Sequence, residues 1–186
     1  MDARMSRLPA ITATPSVPSD FVSIATTLLA APAASITVSG IGATYKEFIV
    51  TSRVRPVTNA RNLLIRPNND SGPNYNYQGF YANNATVTND SGGGNSSIEV
   101  PTPTLGLTNT AAEGTLTQTV IYKNTAGLEA VSHSISQVWA PGPLLDAALS
   151  AHRWNNTTDL ISSFVLLAST GNLDTGTLVR CEGLVP

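Results

Sequence analysis

One run constrains the fold of this chain more than any other: Leu63-Leu64-Ile65-Arg66-Pro67-Asn68-Asn69-Asp70-Ser71-Gly72-Pro73-Asn74-Tyr75-Asn76-Tyr77. A short apolar strand stops in a Pro/Asn/Asp/Gly turn, and an aromatic-alternating strand begins at once. Proline fixes φ, and Asn, Asp and Gly tolerate left-handed backbone angles, so the turn has a chemical cause. The same punctuation recurs along the chain. Residues 23–29, 36–41, 46–54, 63–66, 75–81, 97–100, 115–122, 128–138, 147–154, 160–167 and 178–184 all read as short strands rich in β-branched or alternating residues. Segments 23–29 and 36–41 are expected to form a hairpin across 30–35. Pro101 and Pro103 keep 97–100 out of a sheet centre. Residues 89–97, with Gly92, Gly93 and Gly94, read as a long loop, and 144–151 is the one place where a short helix competes with a strand. No amphipathic helix of several turns is written elsewhere.

A chain of 186 residues fits one domain. Its hydrophobic content of 41% is enough for a core, while charged residues make up only 12%, about half the usual quarter. The polar surface is therefore built from Thr, Ser and Asn, which favours strands and lowers the desolvation cost of packing against a neighbour. The formal net charge of -2 gives no general attraction for nucleic acid. Arg53, Arg55, Arg61 and Arg66 lie close in sequence, as a solvated sheet face or as a phosphate- or partner-binding patch. The single cysteine, Cys181, excludes an intrachain disulfide; alternation over 177–185 puts it beside Val179 as a small buried hydrophobe. The apolar run 21–34 is too short and too interrupted to span a membrane. Pro9, Pro15, Pro18 and Asp20 separate it from Arg4 and Arg7, unlike a signal peptide.

Residues 1–20 read as an extended, Pro-containing arm, and 21–186 as a β-sandwich domain. The expected class is all-β: a jelly-roll-like β-sandwich with an extended N-terminal arm, because stacking two sheets buries their apolar faces.

The catalytic and ligand-binding motifs that the sequence suggests are each incomplete. Gly92-Gly93-Gly94 lacks the following Lys-Ser/Thr and helix start that a phosphate loop needs. His133, His152 and Cys181 are too few and too far apart for structural zinc. His133 shares a strand face with Val131 and Ile135 and reads as a hydrogen-bonded core or sheet histidine; His152 reads as a packing or interface residue. No Gly-x-Ser-x-Gly elbow occurs, and no carboxylate pair is singled out. Residues 68–72 read as a self-bonded Asx turn rather than a calcium loop. The chain is therefore expected to be no enzyme and to hold no cofactor or metal. Tyr75, Tyr77 and Tyr81 share one strand face by parity. That face reads as core or subunit interface, or as a platform for sugar rings.

Several segments together resemble a family of tailed-bacteriophage virion proteins. They are Asp20-Phe21-Val22-Ser23-Ile24, the stretch from Ala33 to Ile41, Ala43-Thr44-Tyr45-Lys46-Glu47-Phe48, the Leu63 to Tyr77 run, Ile161-Ser162-Ser163-Phe164, and Gly171 through Thr177 into a last strand ending at Gly183. Cys181-Glu182-Gly183 stands where such chains tend to carry a Leu-Tyr-Gly-like ending. The resemblance implies a structural protein on the outer surface of a capsid or on the tail. The first expectation is a capsid decoration (cement) subunit, a homo-oligomer expected as a trimer, bound to the major capsid protein or other virion proteins. Arg4, Arg7, Leu8, Pro9 and Ile11 of the arm are its expected capsid contacts. The alternative is a tail- or fibre-associated subunit binding host surface glycan through Tyr75, Tyr77 and Tyr81. Nucleic acid and membrane are not expected partners.

Overall fold

The computed structural model describes residues 20–58, 62–83, 86–101, 114–123, 127–139 and 145–185. Among these, every regular element is a strand. They are β1 (Phe21–Leu28), β2 (Ile36–Val38), β3 (Glu47–Val54), β4 (Asn62–Pro67), β5 (Tyr75–Asn83), β6 (Thr86–Asn95), β7 (Ile98–Pro101), β8 (Gly114–Tyr122), β9 (Ala130–Trp139), β10 (Leu145–Trp154), β11 (Phe164–Ala168) and β12 (Leu178–Leu184). They form an eight-stranded sheet, β1-β12-β3-β8-β9-β10-β5-β6, and a four-stranded sheet, β2-β11-β4-β7, antiparallel throughout.

The order decodes simply. With β5, β6, β9 and β10 set aside, the remaining strands pair first with last, second with second-last, and so on inward: β1 with β12, β2 with β11, β3 with β8, β4 with β7. That nesting is a long hairpin rolled over itself, the jelly-roll topology. The four strands set aside are two hairpins, β5–β6 inserted between the paired strands β4 and β7, and β9–β10 inserted into the crossover from β8 to β11. They pair with each other through β5 and β10, and attach to the roll through β8 and β9. They extend one sheet well past the edge of the other.

The core of the roll is apolar. Phe48 packs edge-on against Phe164 at 5.2 Å between ring centroids, with Tyr45 against Phe48 at 6.0 Å. Val38, Val50, Leu63, Ile65, Leu166, Val179 and Cys181 surround them, all buried. Cys181 is fully buried, and burial pushes its thiol up to about 12. Gly183, next to last in β12, has a packing role. A Cβ there would sit 2.5 Å from the Tyr45 ring and 2.8 Å from Ile24.

The turn after β4 ties the roll to the extension. Asn68 and Asn69 take positive φ, 52° and 56°. The Asn68 side-chain oxygen accepts from the backbone N–H groups of Ser162 and Ser163, and its amide donates to Leu160 O. Asp70 accepts from Gly72 N–H, the Asn74 amide and the Trp154 indole, each at 2.8 Å. The Tyr75 hydroxyl donates to Asp70 O at 2.9 Å. The Asx turn read in the sequence is thus the hub on which β10 and β5 end. Burial pulls the Asp70 carboxyl upward, but the hydrogen bonds from Trp154, Asn74 and Gly72, helped by Arg66, outweigh it and hold the group below its ordinary value.

Three local expectations are corrected. Segments 23–29 and 36–41 do not form a hairpin: β1 pairs with β12 and β2 with β11, in different sheets. Residues 89–97 are not a loop. Most of them belong to β6, whose glycines make room for side chains of β5: a Cβ on Gly92 would meet the Tyr77 ring at 2.6 Å, and one on Gly93 the Asn76 oxygen at 2.8 Å. Gly94, at φ 70°, forms the bulge that ends regular pairing. The segment open to a short helix is β10, a strand fixed on both sides by ladders to β5 and β9.

Candidate interaction face

In β8, the roll strand that carries the extension, and in β9 the alternation is turned inside out. Thr115, Thr117 and Thr119 of β8, Ser132, Ser134 and Ser136 of β9, and Ser150 of β10 are buried on the side facing the small sheet. Some of their hydroxyls pair across strands, Ser52 with Thr117 at 2.6 Å and Thr119 with Ser134 at 2.9 Å, whereas those of Thr115 and Ser150 are buried without a partner. The larger apolar residues point outward. Leu116 is 52% exposed, Tyr122 43%, Val131 48%, Ile135 46%, Leu149 48%, Phe80 52% and Val87 70%.

The registers bring five of these seven into two adjacent rows, while Val131 and Tyr122 pair with each other farther along β9 and β8. Ile135, Leu149 and Phe80 lie side by side across β9, β10 and β5. Leu116, Gln137, Ala147, Ala82 and Val87 form the adjacent row across β8, β9, β10, β5 and β6. Two shallow grooves run between the rows. One, of about 270 Å³, is lined by Phe80, Ala82, Val87, Ile135, Ala147 and Leu149. The other, of about 200 Å³, lies along Gln78, Phe80, His133, Leu149 and Ala151. Phe80, Ile135, Leu149, Leu116 and Val87, each about half or more in solvent, make a patch of several hundred Å², the size that marks contact surfaces on soluble proteins. Charge is sparse here: of the residues on this face of β9 and β10, Arg153 is the charged one, and it pairs with Glu129 at 3.2 Å.

The opposite side of β5 carries the tyrosines. Tyr75, Tyr77 and Tyr81 do share one face, but it is the inner one. Tyr75 is fully buried beside Trp154, so it is a core residue and offers no ring to a sugar. Tyr77 and Tyr81 are half-buried, and their hydroxyls converge on Asp90 of β6, at 2.9 Å and 3.4 Å. Burial first, and the Asp90 carboxylate second, push both phenols up, so both stay protonated donors at neutral pH. Glu99 stands nearby on β7, raised by burial and by Asp90 although the Asn62 amide bonds it at 2.9 Å.

The histidines separate. His133, expected in a core or sheet setting, lies on the outer face, half-buried, with its ring 6.1 Å from that of Tyr122. It is not a core residue, because the Val131/Ile135 side of β9 is the one turned to solvent. His152 is 4% exposed. Its Nε2 lies 2.9 Å from Glu99 O, an acceptor only, so Nε2 carries the proton and Nδ1 faces the Ser132 hydroxyl at 3.4 Å. The arginines do not form one patch. Arg53 is on the outer face of β3, Arg55 donates to Thr175 O at 3.4 Å, and Arg66, in the small sheet, donates to Ser96 O at 3.1 Å; Arg61 lies outside the described residues. So do Arg4, Arg7, Leu8, Pro9 and Ile11. Among the described residues no group of three or more His, Cys, Asp or Glu is placed to hold a metal ion, and no helix is long and apolar enough to cross a membrane.

Sequence reading missed the outward face. Its signal was present in the serines alternating with Val131, His133 and Ile135, but the usual rule that apolar residues point inward assigned it to the core. Comparison of the chain with protein-family models, with curated proteins and with solved structures gives no match.

Proposed function

We propose that this protein is a structural subunit of a bacteriophage particle, a decoration protein that packs on the capsid lattice through the outer face of its extended sheet. The observation that carries this reading is the contiguous, charge-poor apolar face of β8, β9, β10 and β5 on a jelly roll whose own core is complete without it. A surface of that kind loses little by desolvation and gains about 25 cal/mol for each Å² of apolar area buried. Repeated on a lattice, modest contacts add into tight occupancy. In this reading the arm, with Arg4, Arg7, Leu8, Pro9 and Ile11, supplies further contacts to the capsid. The role needs no catalytic group.

The test is the copy number and position of the protein on purified particles, from cryo-electron microscopy with mass-spectrometric stoichiometry. Hundreds of copies on capsid axes are expected. A few to a few dozen copies at the neck or tail would refute the capsid assignment and favour a tail-associated subunit. One observation supports that second reading: Tyr77 and Tyr81 offer half-buried rings beside the Asp90 carboxylate, the pairing of stacking surface and acceptor that sugar hydroxyls use. Under it, Tyr77→Ala abolishes host adsorption and leaves assembly intact.

A further inference from the structure

Among the described residues the sandwich has four sheet edges: β1 and β6 in the large sheet, β2 and β7 in the small one. An open edge presents unpaired N–H and C=O groups and is a template for another strand unless it is short, bulged, charged or proline-bearing. Three of the four are blunted in these ways. β2 has three residues and β7 four, the last being Pro101, which has no N–H to donate. β1 is broken by a register shift between Ser23 and Ala25, the kind of bulge that twists an edge out of line.

β6 is the least protected of the four. It runs for ten residues and keeps an unbroken register with β5 from Thr86 to Gly93, its one irregularity falling at the far end. It contains no Lys, Arg, Glu or Pro. Its single charge, Asp90, is drawn to the inner side by the hydroxyls of Tyr77 and Tyr81. No described strand lies on its free side. The apolar face also runs up to this edge, since Val87 of β6 and Phe80 of β5 are among its most exposed members, at 70% and 52%.

We propose that β6 pairs with β6 of a second copy of this chain, antiparallel about a two-fold axis. Two identical strands in that arrangement are self-complementary, each donor meeting an acceptor of the same segment. A two-fold through Asn89 sets Asp90 opposite Thr88 of the second copy and Val87 opposite Ser91, so no like charges face each other. Opposed residues stay on the same side of the joined sheet, so the two apolar faces merge into one across the axis. Edge pairing buries less than the roughly 800 Å² per partner of a standard interface, so the expected affinity is micromolar. The inference does not rest on the particle reading and is tested on the isolated chain.

The experiment is sedimentation equilibrium of the full chain beside the variant Val87→Lys/Asn89→Lys, with far-ultraviolet circular dichroism and thermal midpoints as controls for folding. Both residues are exposed, and edge lysines block strand addition without touching the β5 ladder. The wild type is expected to be a dimer across the micromolar range, and the variant a folded monomer with an unchanged midpoint. A wild type that stays monomeric overturns the proposal. So does a trimer, the number implied by the resemblance, or a dimer that persists in the variant, because either places the contact elsewhere. Should the variant fail to fold, Ser91→Lys alone is read in the same way.

Discussion

Two strands of the large sheet, β3 of the roll and β9 of the extension, use the same alternation of side chains and turn it in opposite directions. In β3, Phe48 and Val50 point inward while Glu47 and Arg53 point toward solvent. In β9, Ser132, Ser134 and Ser136 point inward and Val131 and Ile135 point out. Both solutions satisfy their backbones. They differ in where the hydrophobic free energy is left: the roll spends it on folding, whereas the extension keeps it on an outer surface, available for a contact. Small hydroxyls can fill the inner side because they bond one another across strands, as Thr119 and Ser134 do.

The sharpest way to break this contrast is to cut the core of the roll. Phe48→Ala removes a fully buried ring packed on Phe164 and is expected to destabilise the protein by about 3–5 kcal/mol, read from urea denaturation. A loss below about 1 kcal/mol would mean that the roll is not the stabilising unit. Next in size is the junction. Asp70→Ala leaves the Trp154 indole, the Asn74 amide and the Gly72 N–H without their acceptor, and a loss of about 2–3 kcal/mol is expected. Asp70→Asn should recover part of it, since one side-chain oxygen remains.

Acid sharpens the contrast further, because the buried histidine belongs to the extension. Burial pushes the His152 imidazole down to about 4, while an unfolded histidine titrates near 6.5. Between those values the unfolded chain binds a proton that the folded chain does not. Stability therefore falls as pH drops from about 6.5 to about 4. Asp70, held below its ordinary value, acts in the same direction at lower pH. Denaturation midpoints measured at pH 7 and pH 5 should differ, and His152→Gln should reduce the difference. An unchanged slope in that variant would place the acid sensitivity outside the extension.

Much of the roll was legible in the sequence. The alternation over 177–185 placed Val179 and Cys181 inward, and the prolines after Val100 correctly kept that strand at an edge. The Asn-Asn-Asp turn announced its own geometry, because Asn and Asp supply both the positive φ and the bonds that hold it. What failed has one physical source: side chains report local conformation, but not which distant strand completes the sheet. Segments 23–29 and 36–41 look like a hairpin until β12 and β11 claim them. Gly92, Gly93 and Gly94 look like a loop until the Tyr77 ring explains why β6 is bare beneath it. Tyr75, Tyr77 and Tyr81 were placed on one face by parity, yet parity could not say that the face turns inward and that Trp154 seals Tyr75. For the same reason the alternation in β9 fixed two faces without fixing which one meets solvent.

Under the proposed function, the outer face of the extension is a contact surface and contributes little to folding. The direct test is Phe80→Ser/Ile135→Ser/Leu149→Ser, assayed for thermal midpoint and for occupancy on purified particles. Each side chain is about half exposed, and surface substitutions shift stability by about 0.5 kcal/mol or less apiece, so the three together are expected to cost about 1.5 kcal/mol or less. The predicted result is a midpoint within a few degrees of wild type, with occupancy lost. Wild-type occupancy by the folded variant would contradict the account.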